Sequence, residues 1–142
     1  EDPYLYGNLG WGYYLLGDFD SAVDNSLKAL AMKPELNYAR MNLGISHIKQ
    51  GAYKRAYDAY ESLLKYSPEH DEYEGGIRDL MELQHEFPGV YPFSNFVLGQ
   101  LYKQQGRNME ASEALHKFLR QNFPVAYWHH KARSLLSEIE SE

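Results

Sequence analysis

Cysteine is missing altogether from the 142 residues of this sequence. Its absence excludes disulfides, thiolate zinc sites and cysteine nucleophiles, and it leaves the redox compartment open. Basic residues are also few, since 14 Lys and Arg against 20 Asp and Glu give a net charge of −6. That balance lacks the positive footprint of a nucleic-acid-binding protein. No apolar run approaches the roughly 20 residues of a membrane helix, so we expect no membrane insertion either.

Signals of catalysis or metal binding are missing as well. The sequence has no Gly-rich phosphate loop and no nucleophile elbow. The six histidines do not form an i, i+4 pair with a third ligand, as zinc-binding helices do. An acidic cluster at 69–74 lacks the spaced Asp/Asn–Gly pattern of a calcium loop. We interpret it as the start of a helix, where negative charges are stabilised by the helix macrodipole. We therefore predict no enzyme, no cofactor and no metal site.

What the sequence does contain is a repeat. The first copy has Leu9-Gly10, Tyr13, Gly17, Phe19, Ala22 and Pro34, and the second has Leu43-Gly44, His47, Gly51, Tyr53, Ala56 and Pro68. The offsets 44−10, 51−17, 56−22 and 68−34 all equal 34. A fixed period of this size marks stacked copies of one supersecondary unit. Gly17 and Gly51 are expected to end first helices, and Pro34 and Pro68 to follow second helices.

This pattern resembles the tetratricopeptide repeat, whose period is also about 34 residues. The resemblance implies an all-α fold, a right-handed α-solenoid of antiparallel helix pairs with about eight helices. It implies one domain over 1–142, with repeats at 3–36, 37–70 and 91–124 and a C-terminal capping helix at 125–140. It also implies a non-enzymatic protein–protein interaction module.

The period breaks after Pro68, because only 20 residues separate Pro68 from Pro88. The spacing of Tyr73, Gly76 and Leu80 matches that of Tyr53, Ala56 and Tyr60 in the preceding second helix. We interpret 71–90 as a degenerate repeat that has lost its first helix, and an unrelated amphipathic helix is the alternative. Two packed halves, about 1–68 and 69–142, are expected to meet at this irregular joint.

Function is expected on the concave side, where first helices of this family line a groove for ligand peptides. The resemblance assigns the following positions to that groove: Tyr4, Asn8, Trp11, Tyr14, Tyr38, Met41, Asn42 and Ile45. Leu9, Tyr13 and Leu16 are instead assigned to the helix-packing stripe of the first repeat. Because the groove residues are not needed for packing, we interpret their aromatic and apolar character as a binding surface.

Asn8 and Asn42 lie 34 residues apart at the same repeat position. A carboxamide offers a donor and an acceptor that match a peptide group, so both residues are candidates to bind a peptide backbone. The alternative is two polar residues on a solvated helix face. Gly7 and Trp11 stand where carboxylate-clamp members of the family have a lysine and an asparagine. We therefore expect a peptide or helix with apolar anchors and not an acidic chaperone tail.

A second hypothesis is a self-associating structural scaffold, in which the groove or the ends of the stack pack on another copy. The Tyr91-Pro92 segment and Phe123-Pro124 are loosely similar to bacterial envelope-assembly repeat proteins, which makes a larger envelope assembly one version of this hypothesis. The chain begins at Glu1 without a methionine, which is compatible with a removed upstream segment. The sequence leaves cytoplasm and periplasm equally open.

Overall fold

Every element of secondary structure in residues 2–141, which the computed structural model describes, is a helix. The α-helices are α1 (Pro3–Leu16), α2 (Phe19–Met32), α3 (Asn37–Gln50), α4 (Tyr53–Glu61), α5 (His70–Glu86), α6 (Phe93–Gln104), α7 (Asn108–Arg120) and α8 (Ala126–Glu140). A 3₁₀ turn, Ser62–Lys65, continues α4. The predicted all-α architecture of about eight helices is confirmed.

The helices form two compact units, the N-terminal unit Glu1–Gly76 and the C-terminal unit Ile77–Glu142. The division lies inside α5 and not after Pro68, where the sequence spacing places it. The reason is that α5 is continuous while its contacts change along its length. Its first turns contact α3, whereas Gln84 near its end donates hydrogen bonds to Ser94 and Asn95 of the C-terminal unit, both 2.8 Å long.

The boundaries of the first hairpin follow from its capping residues. Asp2 caps α1 by accepting a hydrogen bond from the Tyr4 amide at 2.9 Å, and Pro3 occupies the first turn. Gly17 ends α1 with φ 82°, a left-handed conformation that suits glycine. Asp18 then caps α2 by accepting from the Ser21 amide at 3.1 Å. The predicted glycine stop is therefore present, and an aspartate caps the next helix.

Gly10 of α1 and Gly44 of α3 allow the second helix of each hairpin to approach closely. A Cβ atom added at Gly10 would lie 2.5 Å from Ser26 Oγ, and one at Gly44 would lie 2.4 Å from the Tyr60 ring. In both hairpins the covering residue comes 16 positions later (26−10 and 60−44). The two hairpins are thus built in the same way, as the 34-residue period predicts.

The second helix of one repeat packs on the first helix of the next. Leu43 of α3 forms a buried cluster with Val23 of α2 and Ala59 of α4. Ala39, one turn earlier in α3, packs with Ala29 of α2. The apolar area buried in these contacts stabilises the stack by roughly 25 cal/mol per Å². A first helix therefore needs a neighbour on its outer side to bury residues at these positions.

First helices also contact one another, and the first turns of α5 contact α3. Tyr38 of α3 covers Gly7 of α1. Between α3 and α5, Glu72 accepts a hydrogen bond from the Asn37 side chain at 3.4 Å, and Gly76 lies against Met41. Helix starts at 3, 37 and 70 keep almost the same period. These contacts put the first turns of α5 against α3, and the interpretation of 71–90 as a degenerate repeat stays a prediction. The apolar spacing behind that interpretation is common to amphipathic helices in general.

The C-terminal unit is built around an aromatic core. Phe93 and Phe96 of α6 are fully buried and stack with ring centroids 5.1 Å apart. Phe118 of α7 and Trp128 of α8 pack edge-on against Phe96, at 5.5 and 5.3 Å. Gly99 of α6 again meets the residue 16 positions later, because its added Cβ would lie 2.6 Å from Leu115. The α6–α7 hairpin therefore repeats the close approach seen in the N-terminal unit.

The predicted capping helix corresponds to α8. Its buried side chains are Trp128, Ala132, Leu136 and Ile139, whose spacing places them on one face of the helix. His129, next to Trp128, is partly buried, and its Nε2 lies 3.0 Å from the Phe123 carbonyl oxygen. Lys103 of α6 forms an ion pair of 3.2 Å with Glu138 of α8.

Candidate protein-binding surface

Helix α1 carries no charged side chain over its 14 residues. Two of its sides remain accessible, and successive residues turn by about 100°, which assigns each side its residues. The aromatic face comprises Tyr4, Asn8, Trp11 and Tyr14. The leucine face comprises Leu5, Leu9, Gly12, Tyr13 and Leu16. A neutral helix with two accessible sides is unusual for the surface of a chain whose net charge is −6.

The aromatic face contains rings held in place by their neighbours. Trp11 and Tyr14 are both partly buried and stack with centroids 4.9 Å apart and planes 12° apart. Tyr14 also contacts the Phe19 ring at 5.8 Å. The Lys49 ammonium of α3 lies 5.3 Å from the Phe19 centroid, within the range of a cation–π interaction. Rings fixed in this way offer contact area with little loss of conformational entropy on binding.

Tyr4 forms the N-terminal end of the aromatic face and is 47% exposed. The Lys33 ammonium, just after α2, donates a hydrogen bond of 2.5 Å to the Tyr4 hydroxyl. This hydrogen bond raises the pKa of Lys33, which therefore stays protonated. Tyr38 is partly buried above Gly7 and donates to the Tyr4 carbonyl oxygen at 3.3 Å. Burial raises the pKa of Tyr38, with the nearby Tyr4 and Asp2 adding to the effect.

The α3 part of the predicted groove is not accessible. Met41, Asn42 and Ile45 are only 5%, 6% and 2% exposed. Met41 packs against Gly76, so α5 covers the side of α3 that the sequence analysis left open. Gly7, at the corresponding position of α1, is likewise buried, beneath Tyr38. These three residues are therefore part of the packing around α3, contrary to the expectation that packing does not need them.

The two asparagines of the repeat therefore have different environments. Asn8 is exposed on α1, whereas Asn42 is buried in α3. The Ser46 hydroxyl donates to the Asn42 main-chain carbonyl oxygen at 2.7 Å, within the same helix. Asn8 is thus accessible to a peptide, and Asn42 is not.

The leucine face contains residues that were predicted to pack inside the repeat. Leu9 is 39% exposed and Leu16 is 81% exposed, although both were expected in the packing stripe. A cavity of about 380 Å³ lies along this face and is lined by Leu5, Asn8, Leu9, Gly12, Tyr13 and Leu16. In α3 the same stripe packs on α2, and α1 is the first helix of its unit.

The other features of the described residues are weaker candidates for a binding site than the two faces of α1. In the C-terminal unit a cavity of about 120 Å³ lies beside Gln84, Asn95 and Tyr102, below the roughly 300 Å³ of ordinary ligand pockets. Among residues 2–141 no group of three His, Asp or Glu side chains could hold a metal ion. None of the helices in the same residues is long and apolar enough to cross a membrane.

Residues 8–72 match the sequence model of the tetratricopeptide repeat family. These residues contain tetratricopeptide repeats. The family is in general a non-enzymatic repeat module that serves protein–protein interaction or scaffolding. The match covers the hairpins α1–α2 and α3–α4 and reaches the start of α5.

Similar solved structures include two of MamA, one a double mutant of the RS-1 protein and one of residues 41 to the end from Desulfovibrio magneticus RS-1. They are 15% and 16% identical, cover 98% of this chain and 94% and 93% of their own, and have TM-scores of 0.44. A thermophilic tetratricopeptide-repeat protein of Thermus thermophilus is 20% identical over 96% of this chain and 80% of its own, also with a TM-score of 0.44. No curated protein matches.

Proposed function

We propose that this tetratricopeptide-repeat chain binds a protein segment with apolar anchors on the aromatic face of α1. Tyr4, Asn8, Trp11 and Tyr14 are the residues that would contact the segment, and Tyr38 would form its edge. Met41, Asn42 and Ile45 would act behind this surface by packing, because they are buried. The observation that carries the proposal is an uncharged helix whose stacked Trp11–Tyr14 pair remains partly accessible.

The chemistry of this face supports apolar anchors with some backbone recognition. Aromatic rings at the centre of an interface are the residues whose truncation costs the most binding energy. Asn8 is exposed next to them and can pair with a peptide group of the ligand. Charged ligand groups find no partner within α1 itself, since the helix carries no charge.

The test is a peptide-display selection on the immobilised wild-type chain, followed by affinity measurements on the selected peptides. Trp11→Ala should weaken binding by about 2 kcal/mol or more, roughly thirtyfold, as loss of an aromatic hot spot does. Tyr127→Ala is the matched control, because Tyr127 is a 56% exposed aromatic residue on α8. Selected peptides that bind Trp11→Ala as tightly as wild type would refute the proposal.

A further inference from the structure

A relay of two hydrogen bonds crosses from α3 to α2, where the second repeat meets the first. The Gln50 side-chain amide donates to Asp20 Oδ1 at 2.7 Å, and Gln50 Oε1 lies 2.8 Å from His47 Nδ1. His47 is 6% exposed, whereas Gln50 and Asp20 lie at the surface. The relay therefore connects a buried imidazole of one repeat to an exposed carboxylate of the other.

The direction of the relay follows from the chemistry of its two ends. An ionised carboxylate only accepts hydrogen bonds, so the NH₂ group of Gln50 must face Asp20. The Gln50 carbonyl oxygen then faces His47. Because that oxygen also only accepts, Nδ1 of the ring must carry a proton. The relay thus fixes the neutral His47 ring as its Nδ1–H tautomer.

The groups around His47 decide what a second proton on the ring does. Burial lowers the pKa of His47 from 6.5, the hydrogen bond to Gln50 acts in the opposite direction, and Arg55 of α4 lowers the pKa further. Helix α1 carries no charged side chain, and Glu72 of α5 lies at the opposite end of α3, which leaves Asp20 as the carboxylate that the relay joins to the ring. A charged donor makes the stronger hydrogen bond, so the relay stabilises the protonated ring that burial disfavours.

The same junction supports the aromatic face of α1. Phe19 precedes Asp20 and Lys49 precedes Gln50, so the contact of 5.3 Å between the Lys49 ammonium and the Phe19 ring lies beside the relay. The Phe19 ring in turn contacts the Tyr14 ring at 5.8 Å. Loss of the relay should therefore loosen the rings that hold the aromatic face in place.

We infer that Asp20, Gln50 and His47 form a proton-sensitive relay that holds the first two repeats together, fixes the His47 tautomer and strengthens when the ring is protonated. The first repeat has Tyr13 and Leu16 at the positions of His47 and Gln50, so α1 has no counterpart of the relay. The inference does not depend on the proposed peptide site, because no ligand takes part in it.

Histidine NMR on the full chain tests the relay directly. At about pH 8 the ring-nitrogen chemical shifts of wild type should show His47 as the Nδ1–H tautomer. Gln50→Leu should lose that preference, because a leucine side chain accepts no hydrogen bond. In a pH titration Gln50→Leu should bring the pKa of His47 further below 6.5 than in wild type. Gln50→Glu should raise the pKa instead, since a carboxylate then faces the ring.

Two aspartates of α2 supply a matched pair of variants. Asp20→Ala removes the carboxylate that orients Gln50, whereas Asp24→Ala removes an exposed carboxylate one turn later. Asp20→Ala should lower the pKa of the imidazole and increase iodide quenching of Trp11 fluorescence roughly twofold, in a Trp128→Phe background. Asp24→Ala should leave both close to wild type.

Three results would overturn the inference. The first is a wild-type ring that carries its single proton on Nε2. The second is a titration of His47 that Gln50→Leu leaves unchanged, and the third is an equal effect of Asp20→Ala and Asp24→Ala. Peptides that ignore the Trp11→Ala change, in contrast, would affect only the proposed peptide site.

Discussion

Helices α1 and α3 are copies of one element in two different environments. They share a period of 34 residues, the same glycine for the paired helix and the same glycine stop. Leu9, in the leucine face of α1, is 39% exposed, whereas Leu43 at the same repeat position of α3 is 8% exposed. The difference teaches that the burial of a repeat position is decided by the neighbouring helix and not by the residue alone.

The comparison is tested most strongly by one truncation made in both helices. Leu43→Ala should lower the free energy of unfolding by about 2–4 kcal/mol, because it leaves a cavity between Val23 and Ala59. Leu9→Ala should cost less than about 1 kcal/mol, because that leucine is already partly in water. Urea denaturation, followed by Trp11 fluorescence in a Trp128→Phe background, reports on the N-terminal unit. Equal losses for the two variants would contradict the comparison.

A methyl group added to the glycine of α3 should have the next largest effect. Gly44→Ala places a Cβ atom against the Tyr60 ring, which is only 1% exposed and cannot move away freely. We expect a loss of about 1–3 kcal/mol from overpacking, measured by the same denaturation. An unchanged or higher stability would show that the α3–α4 hairpin is looser than its contacts indicate.

A gain in the free energy of unfolding is expected for a methyl group added at Gly12 of α1, where the space around the Cβ position is empty. Gly12→Ala meets no atom within 4 Å, so only the helix propensity changes. The variant should gain about 0.5–1 kcal/mol of unfolding free energy, since alanine loses less backbone entropy than glycine. A thermal melt that shows a loss instead would mean that Gly12 is covered in solution.

The smallest effect concerns pH, at the position where α3 has His47 and α1 has Tyr13. Burial lowers the pKa of His47 below 6.5, with Arg55 contributing, while the hydrogen bond to Gln50 acts in the opposite direction. The folded state therefore holds the neutral ring. The stability that His47 contributes is complete above pH 6.5 and is lost as the pH falls towards the lowered value. His47→Tyr, which copies α1, should lose less stability between about pH 7.5 and 5.5 in paired urea titrations. An identical loss in both proteins would assign the pH dependence to other groups.

Much of the fold was predictable because its signals are local. Gly17 and Gly51 adopt positive φ at the ends of α1 and α3, where the repeat placed them. Trp128, Ala132 and Leu136 share one buried face of α8, as their spacing indicates. The place of α5 was not predictable in the same way. Its apolar spacing fits a first or a second helix equally well, and its contacts with α3 through Glu72 and Gly76 join residues that are distant in the sequence.

The exposure of the proposed binding surface was predicted less completely, for a related reason. Tyr4, Asn8, Trp11 and Tyr14 retain accessible surface, which is consistent with their predicted position. Met41 and Ile45 have equally apolar side chains, but α5 or the packing around them removes them from solvent. A hydrophobic residue on a helix face does not reveal whether another helix covers it.

The sequence by itself determined the helical hairpins, their 34-residue period and the close approach at Gly10 and Gly44, because each depends on residues near in the chain. Only the tertiary structure decided which of these equivalent faces is buried. That outcome depends on contacts between helices. Leu43 of α3 packs against Val23 of α2, whereas Leu9, at the same position in the leucine face of α1, stays exposed.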